Sequence, residues 1–334
     1  MSQKQTFLRR AYVFHMGSLG DGIVHWPLYR AMCRGGWNIT LVGEDHRVKL
    51  AADEVNSSVA ADGAGAADGG GWKSGGRMRA ESCELRQFRG LWCGECEPAK
   101  AKADVDLVIA MFNEAKWLTG ARVMFPGAQI VSHGAAGYQP DSPLWREFDV
   151  SVRGQVARLH RFDSAIVMHL GAGAESKRWP MQRFLQLQEL LAAEACTNVL
   201  LQRSDGGALG VQPIFGEVEL ERFTQTDRDA FARMCRLQSI SQSQGPIARL
   251  PQLANTIRLA SVFIGCDTGP THLAAQLGVP TVALYSAEQT DNWLPRGQRV
   301  DVVQPECGAV ENITAREVLD AVLAQRRIAL SSRR

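Results

Sequence analysis

The sequence predicts an α/β protein built of two Rossmann-like domains that face each other across a cleft. Short apolar runs of strand length alternate along the chain with segments whose apolar residues recur at helical spacing. The alternation occurs twice, and weak periodicity over residues 133–161 predicts the linker between the two series. We therefore expect one domain over residues 1–155 and another over 156–334. A chain of 334 residues is long enough for both cores.

The first half contains four apolar runs of strand length, at residues 11–14, 39–42, 107–110 and 129–132. A glycine-rich turn at 15–22 and a helix at 23–33 follow the first run, which is the opening of a parallel α/β unit. Residues 51–76 are rich in Ala, Gly and Asp and show no clear period. We expect a long surface loop there.

The second half repeats the alternation more clearly. Strands are expected at residues 165–168, 198–201, 262–264 and 281–284, and helices at 181–195, 253–260 and 271–277. A final amphipathic helix opens at residue 310. Ligands of parallel α/β domains bind at the carboxyl ends of the strands, so the loops after these strands are the candidate site.

Composition excludes several classes of protein. Apolar residues make up 45% and charged residues 22%, and 37 basic residues balance 35 acidic ones, so no nucleic-acid partner is expected. No signal peptide or membrane span is recognisable, which predicts a cytoplasmic protein with reduced cysteines. Cys93 and Cys96 have metal-like spacing and Cys83 precedes them, but no second pair lies nearby. No metal site is therefore expected.

The segment from Gly265 to Ala275 carries the strongest functional signal. Asp267 and Thr268 follow a predicted strand, and Gly269 lets a ligand approach the backbone of the helix that starts next. The free N–H groups and the dipole of that helix start favour a diphosphate. His272 lies one turn further along. The alternative is that Asp267 or Thr268 only caps the helix.

A second loop, residues 169–180, combines glycines with two basic residues. Gly171 lies in the glycine-rich part, and Lys177 and Arg178 follow it. Close backbone donors and a flexible cation suit phosphate oxygens, although an adjacent Lys-Arg pair is often only solvated surface. We predict that all three residues bind a ligand through its phosphate groups.

The N-terminal turn holds Ser18, Gly20 and Asp21. It lacks the Gly-x-Gly-x-x-Gly spacing of a dinucleotide loop, so no NAD cofactor is expected. A carboxylate at Asp21 can take a proton from an incoming hydroxyl, and capping of the following helix is the alternative. Ser18 and Gly20 are predicted to contact the acceptor, the molecule that carries this hydroxyl.

Some residues have weaker functional signals. Tyr285, Ser286 and the Trp293–Pro295 segment are candidates for the wall of a base or sugar pocket, with core packing as the alternative. The histidines that show no zinc spacing, with His169 the one expected nearest the cleft, are His15, His25, His46, His133 and His169.

Taken together, these segments resemble glycosyltransferase family 9, the ADP-heptose:lipopolysaccharide heptosyltransferases. The resembling segments are Gly17-Ser-Leu-Gly-Asp21-Gly, Lys177-Arg-Trp-Pro180, Asp267-Thr-Gly-Pro-Thr-His272, Gly278-Val-Pro-Thr-Val-Ala-Leu-Tyr285 and Trp293-Leu-Pro295. Two features depart from the family pattern. Ser286 stands where a glycine is common, and the loop after Leu201 offers no ribose-binding carboxylate.

The resemblance implies a GT-B fold with an N-terminal acceptor domain and a C-terminal domain for the nucleotide sugar. The last helix of the chain can pack back on the N-terminal domain. It implies inverting transfer from ADP-heptose to a glycan or glycolipid acceptor, with neither metal nor cofactor. Asp21 would be the general base, Lys177 would neutralise the diphosphate, and Asp267 would contact the donor sugar. Thr268, Gly269 and His272 would line the diphosphate site.

Two other functions remain open from the sequence: a GT-B nucleotide-sugar epimerase and a non-catalytic nucleotide-sugar-binding protein. Asp21 argues against both, because a binder has no need of a carboxylate there. A lipid-linked acceptor would bring the protein to the inner face of the cytoplasmic membrane. The basic residues expected to help such peripheral docking are Arg77, Arg79, Arg86 and Arg89.

Overall fold

The structure, a computed structural model, divides the chain into two compact units, Met1–Val156 and Ala157–Arg334. The residues that it describes are 9–64, 76–93, 96–98, 101–132, 146, 148, 163–205, 207–237, 247, 249–289 and 293–331. The predicted linker at 133–161 and His133 therefore lie almost wholly outside the described residues.

The first unit is built on a five-stranded parallel sheet. Its strands are β1 (Arg9–Phe14), β2 (Trp37–Gly43), β3 (Met78–Ser82), β4 (Leu107–Ala110) and β5 (Gln129–Ser132), in the order β3-β2-β1-β4-β5. The residues of β4 are all buried, as is the apolar part of β1, because helices cover both faces of a parallel sheet. The edge strand β5 is only partly buried.

The helices of the first unit are α1 (Leu19–Ile23), α2 (Trp26–Arg34), α3 (Asp45–Ala64), α4 (Arg86–Cys93) and α5 (Ala115–Met124). The expected surface loop at 51–76 is wrong over its first part, because α3 continues to Ala64. Alanine has the strongest helix propensity, and buried Ala51, Ala52 and Val55 hold this helix against the sheet. The single helix predicted at 23–33 is interrupted between α1 and α2.

The second unit contains another five-stranded parallel sheet. Its strands are β6 (Ile166–His169), β7 (Val211–Ile214), β8 (Val262–Cys266), β9 (Thr281–Leu284) and β10 (Val300–Val303), in the order β10-β9-β8-β6-β7. The chain runs from β6 to β7 in one direction across the sheet and from β8 to β9 in the other, so the strand order reverses between the adjacent strands β6 and β8. The loops that leave β6 and β8 therefore diverge at this point and open a crevice at the carboxyl edge.

The helices of the second unit are α6 (Met181–Ala195), α7 (Glu217–Arg222), α8 (Gln225–Leu237), α9 (Leu250–Arg258), α10 (Gly269–Gln276) and α11 (Ala315–Ser331). The prediction of two α/β domains with parallel sheets is confirmed. The strand expected at 198–201 is wrong: Val199–Leu201 is a single 3₁₀ turn, and β7 provides the next strand.

The last helix, α11, packs on the core of the second unit. Val318, Leu319 and Val322 are fully buried in that core. The Arg326 Nε atom donates a hydrogen bond to the Leu200 carbonyl at 2.7 Å. Whether the helix also packs on the first unit stays a prediction. Among the described residues, no helix combines the length and the apolar character needed to cross a bilayer.

Replacing Asp53 tests the helical assignment of α3, since this side chain is exposed in the middle of the helix. Asp53→Pro removes a backbone donor and introduces a steric clash, so we expect a loss of about 3 kcal/mol in the free energy of unfolding. Asp53→Ala is the control and should leave stability nearly unchanged. Urea unfolding measures both, and equal stability of the two variants would restore the loop prediction.

Candidate functional site

The loop after β6 is anchored by the buried side chain of Trp179. Its indole Nε1 donates to the Ile313 carbonyl at 2.9 Å, and its backbone N–H donates to the Cys266 sulfur at 3.3 Å. The second bond ties the loop directly to the end of β8. Because Lys177 lies two residues before Trp179, this anchor fixes its backbone beside the loop that follows Cys266.

Lys177 and Asp267 form an ion pair at the carboxyl edge between β6 and β8. The Lys177 Nζ lies 2.6 Å from the Asp267 Oδ2, and the lysine side chain is 48% exposed while the aspartate side chain is 14% exposed. Burial raises the pKa of Asp267, but the neighbouring His272 and Lys177 lower it by more, so it lies below its ordinary value. Asp267 therefore remains a carboxylate at neutral pH.

His272 and Tyr285 support Asp267 from inside the domain. The His272 Nε2 lies 3.8 Å from the Asp267 Oδ1 and 3.5 Å from the Tyr285 hydroxyl. That hydroxyl donates to the Trp293 carbonyl at 3.3 Å. Both side chains are buried. His272 thus lies behind the carboxylate, in one network with Tyr285 and the Trp293 carbonyl, and its contact with a diphosphate stays a prediction.

The start of α10 follows Asp267 directly. Thr268 is the N-cap residue, but within the described part of the chain its side chain makes no cap hydrogen bond and instead donates to the Cys266 carbonyl at 3.3 Å. Gly269 opens the helix and Pro270 occupies its first turn. The capping alternative for the Asp267 and Thr268 side chains is therefore wrong. The positive end of the α10 dipole therefore carries no side-chain cap from Thr268.

A cavity of about 290 Å³ opens beside the ion pair. Lys177 and Asp267 line it together with Ser176, Tyr285 and Ser286. Tyr285 and Ser286 line the cavity as predicted, whereas the Trp293–Pro295 segment does not; that the cavity holds a base or a sugar stays a prediction. Glu288 adds a second carboxylate to the lining, so that a lysine, two carboxylates and several hydroxyl groups face the cavity, as in a site for a polar ligand.

Arg178 is directed away from this cavity. Its Nη2 lies 2.7 Å from the Glu175 Oε1 and 3.3 Å from the Asp227 Oδ2. Asp227 also accepts a hydrogen bond from the Thr224 hydroxyl at 2.8 Å, at the start of α8. In this structure Arg178 holds the loop against α8, and its role in donor binding stays a prediction.

Sequence reasoning did not find the carboxylate of Glu219, which lies against Gly171. A Cβ atom on Gly171 would be 2.2 Å from the Glu219 Cγ, so the glycine makes room for this side chain. The Glu219 Oε2 accepts from the Gly216 N–H at 2.9 Å, and its Oε1 lies 3.9 Å from the His169 Nε2. The signal in the sequence was an acid at the third position of α7.

In the first unit, Ser18 and Asp21 form a capping box at the start of α1. The Ser18 N–H donates to the Asp21 Oδ2 at 2.8 Å, and the Asp21 N–H donates to the Ser18 Oγ at 3.4 Å. Gly20 is buried within the same turn. The capping alternative for Asp21 is confirmed. It does not exclude catalysis, because a carboxylate can accept about four hydrogen bonds.

Comparison with known proteins assigns the family. The model of glycosyltransferase family 9 (heptosyltransferase) matches residues 131–321, which is more than half of the chain. The chain belongs to glycosyltransferase family 9. The matched region contains both loops that meet at the Lys177–Asp267 pair.

One curated relative of this family 9 chain is lipopolysaccharide heptosyltransferase 3 of Escherichia coli (strain K12), 32% identical over 92 residues. The match covers 28% of this chain and 26% of that protein, so it spans about a quarter of the relative.

Two solved structures from E. coli share the fold of this family 9 chain. Heptosyltransferase WaaC with ADP is 16% identical, with 95% of this chain and 99% of that chain covered and a TM-score of 0.57. ADP-heptose lps heptosyltransferase II is 15% identical, with 97% and 100% covered and a TM-score of 0.60. The predicted GT-B fold is confirmed.

A second buried histidine, His169 beside Glu219, has a titration that can be tested. Burial lowers the pKa of His169 to about 4, against an opposing contribution from Glu219. Below pH 6.5 the unfolded chain binds a proton at this position and the folded chain does not, so stability falls as pH falls toward 4. At pH 5 this effect costs about 2 kcal/mol.

We therefore expect His169→Gln to lose less stability than the wild type between pH 7 and pH 5, by about 2 kcal/mol in urea unfolding. His46→Gln, an exposed histidine on α3, is the matched control and should keep the wild-type difference. An unchanged pH dependence in His169→Gln would show that His169 is not held neutral in the folded protein.

Proposed function

We propose that this family 9 protein is an inverting glycosyltransferase that moves a heptose or a related sugar from an ADP-sugar to an acceptor hydroxyl. The acceptor is a glycan or glycolipid of the kind found in lipopolysaccharide or another surface polymer. The observation that carries the proposal is the Lys177–Asp267 pair beside the start of α10. It lies where the strand order of the second sheet reverses, the usual position for a ligand in such folds.

The leaving diphosphate is the group that this position suits best. Lys177 is half exposed, so its side chain can turn from Asp267 to a phosphate oxygen, provided that other groups then satisfy the mostly buried Asp267 carboxylate. The amide groups at Thr268 and Gly269 and the helix dipole add to the attraction. The bond between the anomeric carbon and a diphosphate oxygen breaks in the reaction, and negative charge develops on that oxygen. Positive charge at this position therefore stabilises the transition state as well as the bound donor.

Asp267 then has a second use. A diphosphate that takes over Lys177 leaves the Asp267 carboxylate free to accept hydrogen bonds from hydroxyl groups of the donor sugar. His272, 3.8 Å behind it, keeps the carboxylate in place. On the other side of β6, Glu219 beside Gly171 is the carboxylate that we assign to the ribose hydroxyls, since it lies at the same carboxyl edge.

The first domain supplies the base in this proposal. The acceptor oxygen attacks the anomeric carbon, and the bond from that carbon to the diphosphate oxygen breaks on the opposite face, which inverts the configuration. Asp21 takes the hydroxyl proton, and the diphosphate leaves with the bonding electron pair. Lys177 and the helix amides supply the compensating positive charge, so we propose that the reaction requires no metal ion.

The relatives of this chain support this choice. One solved structure holds a heptosyltransferase with ADP, and the curated relative is a lipopolysaccharide heptosyltransferase. Peripheral membrane contact stays a proposal. Arg77, Arg79 and Arg89 are exposed, although Arg79 also donates to Thr40 and Tyr12 within its own sheet, and the Arg86 side chain lies outside the described part of the chain.

Nucleotide binding tests the donor half. ADP should raise the melting temperature more than GDP or UDP, because a ligand stabilises the state that it binds. Lys177→Met should weaken ADP binding by about tenfold to a hundredfold, the value of a charge-assisted hydrogen bond. Lys116→Met, an exposed lysine of the first unit, is the control. Equal ADP affinities of Lys177→Met and Lys116→Met would exclude Lys177 from the donor site.

Turnover of Asp21→Asn tests the catalytic half. Asparagine keeps an oxygen for the Ser18 N–H but cannot take the proton, so transfer should fall by about 10²–10⁴-fold while ADP affinity stays unchanged. Asp53→Asn, on the exposed face of α3, should transfer at the wild-type rate. Wild-type turnover in Asp21→Asn would exclude Asp21 as the base, and loss of activity with EDTA would contradict metal independence.

A further inference from the structure

A second cavity, of about 230 Å³, lies wholly within the first unit. Three of its polar lining residues directly follow neighbouring strands: His15 after β1, Glu44 after β2, and Glu84 soon after β3. The cavity therefore occupies the carboxyl edge of the first sheet. Ser18 and Gly17 also line it, which brings it to the capping box that holds Asp21.

Most of the cavity wall is apolar. Ile23, Trp26, Leu41 and Val48 line it and are almost completely buried. Met16 also lines the cavity and is 47% exposed, which is unusual for a large apolar side chain. Ligand pockets in proteins combine such walls with a few polar groups that fix orientation.

His15 provides a polar group that needs a ligand. Its side chain is 7% exposed, and its Nε2 atom is buried with no hydrogen-bond partner among the described residues. An unsatisfied buried nitrogen costs stability, so such groups are retained where a ligand completes them. Burial lowers the pKa of His15 to about 4, and the neutral ring suits an uncharged hydroxyl partner.

The charges around the cavity oppose an anionic ligand. Arg47 is already engaged, since its guanidinium donates to the Gly17 carbonyl at 2.8 Å and pairs with Glu44 at 3.0 Å. Glu84 adds a further negative charge to the lining, and Asp21 lies directly beside Gly17. The formal charge of the lining is thus negative. A phosphate or carboxylate held here would meet like charge without a free cation.

We propose that this cavity binds one uncharged sugar ring of the acceptor, with a ring hydroxyl hydrogen-bonded to the His15 Nε2 and an apolar ring face on Trp26 and Val48. The inference rests on the proposed function and names the acceptor class. The cavity encloses about 230 Å³ within the first unit, a space that we assign to one ring and not to a longer glycan. The carboxylates of Glu44 and Glu84 select against acceptor rings that carry an acid group.

Saturation-transfer NMR on the full chain tests the inference, with the methyl glycosides of glucose, mannose and galactose as neutral probes. At least one should bind, and His15→Phe should weaken it by about tenfold, since one buried hydrogen bond is lost. His15→Phe should not lower the melting temperature. Val48→Phe, which fills the cavity, should also abolish binding, whereas Lys49→Phe on the exposed face of α3 should not.

The charged counterparts glucose 6-phosphate and methyl glucuronide should bind at least tenfold more weakly than the neutral glycosides. The double variant Glu44→Gln, Glu84→Gln should narrow this difference several-fold at low salt. Binding of no neutral glycoside, tighter binding of the acids, or binding unchanged in both His15→Phe and Val48→Phe would each overturn the inference.

The same samples are tested for ADP binding, which separates this inference from the proposed function. If ADP binds but the glycosides fail, only the assignment of the acceptor class is wrong. If ADP fails to bind, the donor proposal is wrong whatever the glycosides do.

Discussion

The Lys177–Asp267 site depends on one constraint, the attachment of the Trp179 loop to the end of β8. The buried Trp179 makes two hydrogen bonds: its ring nitrogen donates to the Ile313 carbonyl, and its backbone N–H donates to the Cys266 sulfur. Lys177 is thereby held where the loops from β6 and β8 diverge. The attachment fixes the Lys177 backbone within reach of Asp267, and the attraction between the two charges then holds the Lys177 Nζ 2.6 Å from this mostly buried carboxylate.

The two domains arrange polar groups by the same principle. In each, functional side chains follow the carboxyl ends of buried strands, where parallel packing leaves a crevice. In the first domain the capping box fixes Asp21 while His15 follows β1. In the second, His272 and Tyr285 fix Asp267 from the protein interior. Each key carboxylate is thus held by a hydrogen-bonding or charged partner of its own domain.

Much of the fold could be predicted from the sequence because buried parallel strands are continuous apolar runs. β4, β5 and β9 were predicted at their observed bounds, as was α6. β3 and β10 were missed because partly buried strands carry polar residues and lose the apolar run. β7 was missed because Gln212 and Pro213 interrupt its short, mostly buried run. The helix α3 was mistaken for a loop because its Gly- and Asp-containing end obscured the alanine-rich turns before it.

The site could be predicted where residues cluster in one loop, and not where they meet only in space. Lys177 and Asp267 were identified separately, each from its own segment, and their direct contact is a result of the topology. Glu219 was missed because it lies on a short helix after a strand that the sequence did not reveal. The interpretation of Arg178 overlooked Asp227, which lies 49 residues further along the chain.

A crystal structure of the full chain with ADP tests the account most directly. We expect the diphosphate at the carboxyl edge between β6 and β8, with one phosphate oxygen within hydrogen-bond distance of the Lys177 Nζ and another facing the Gly269 N–H. A diphosphate bound elsewhere in the chain, with the Lys177–Asp267 pair undisturbed, would contradict it.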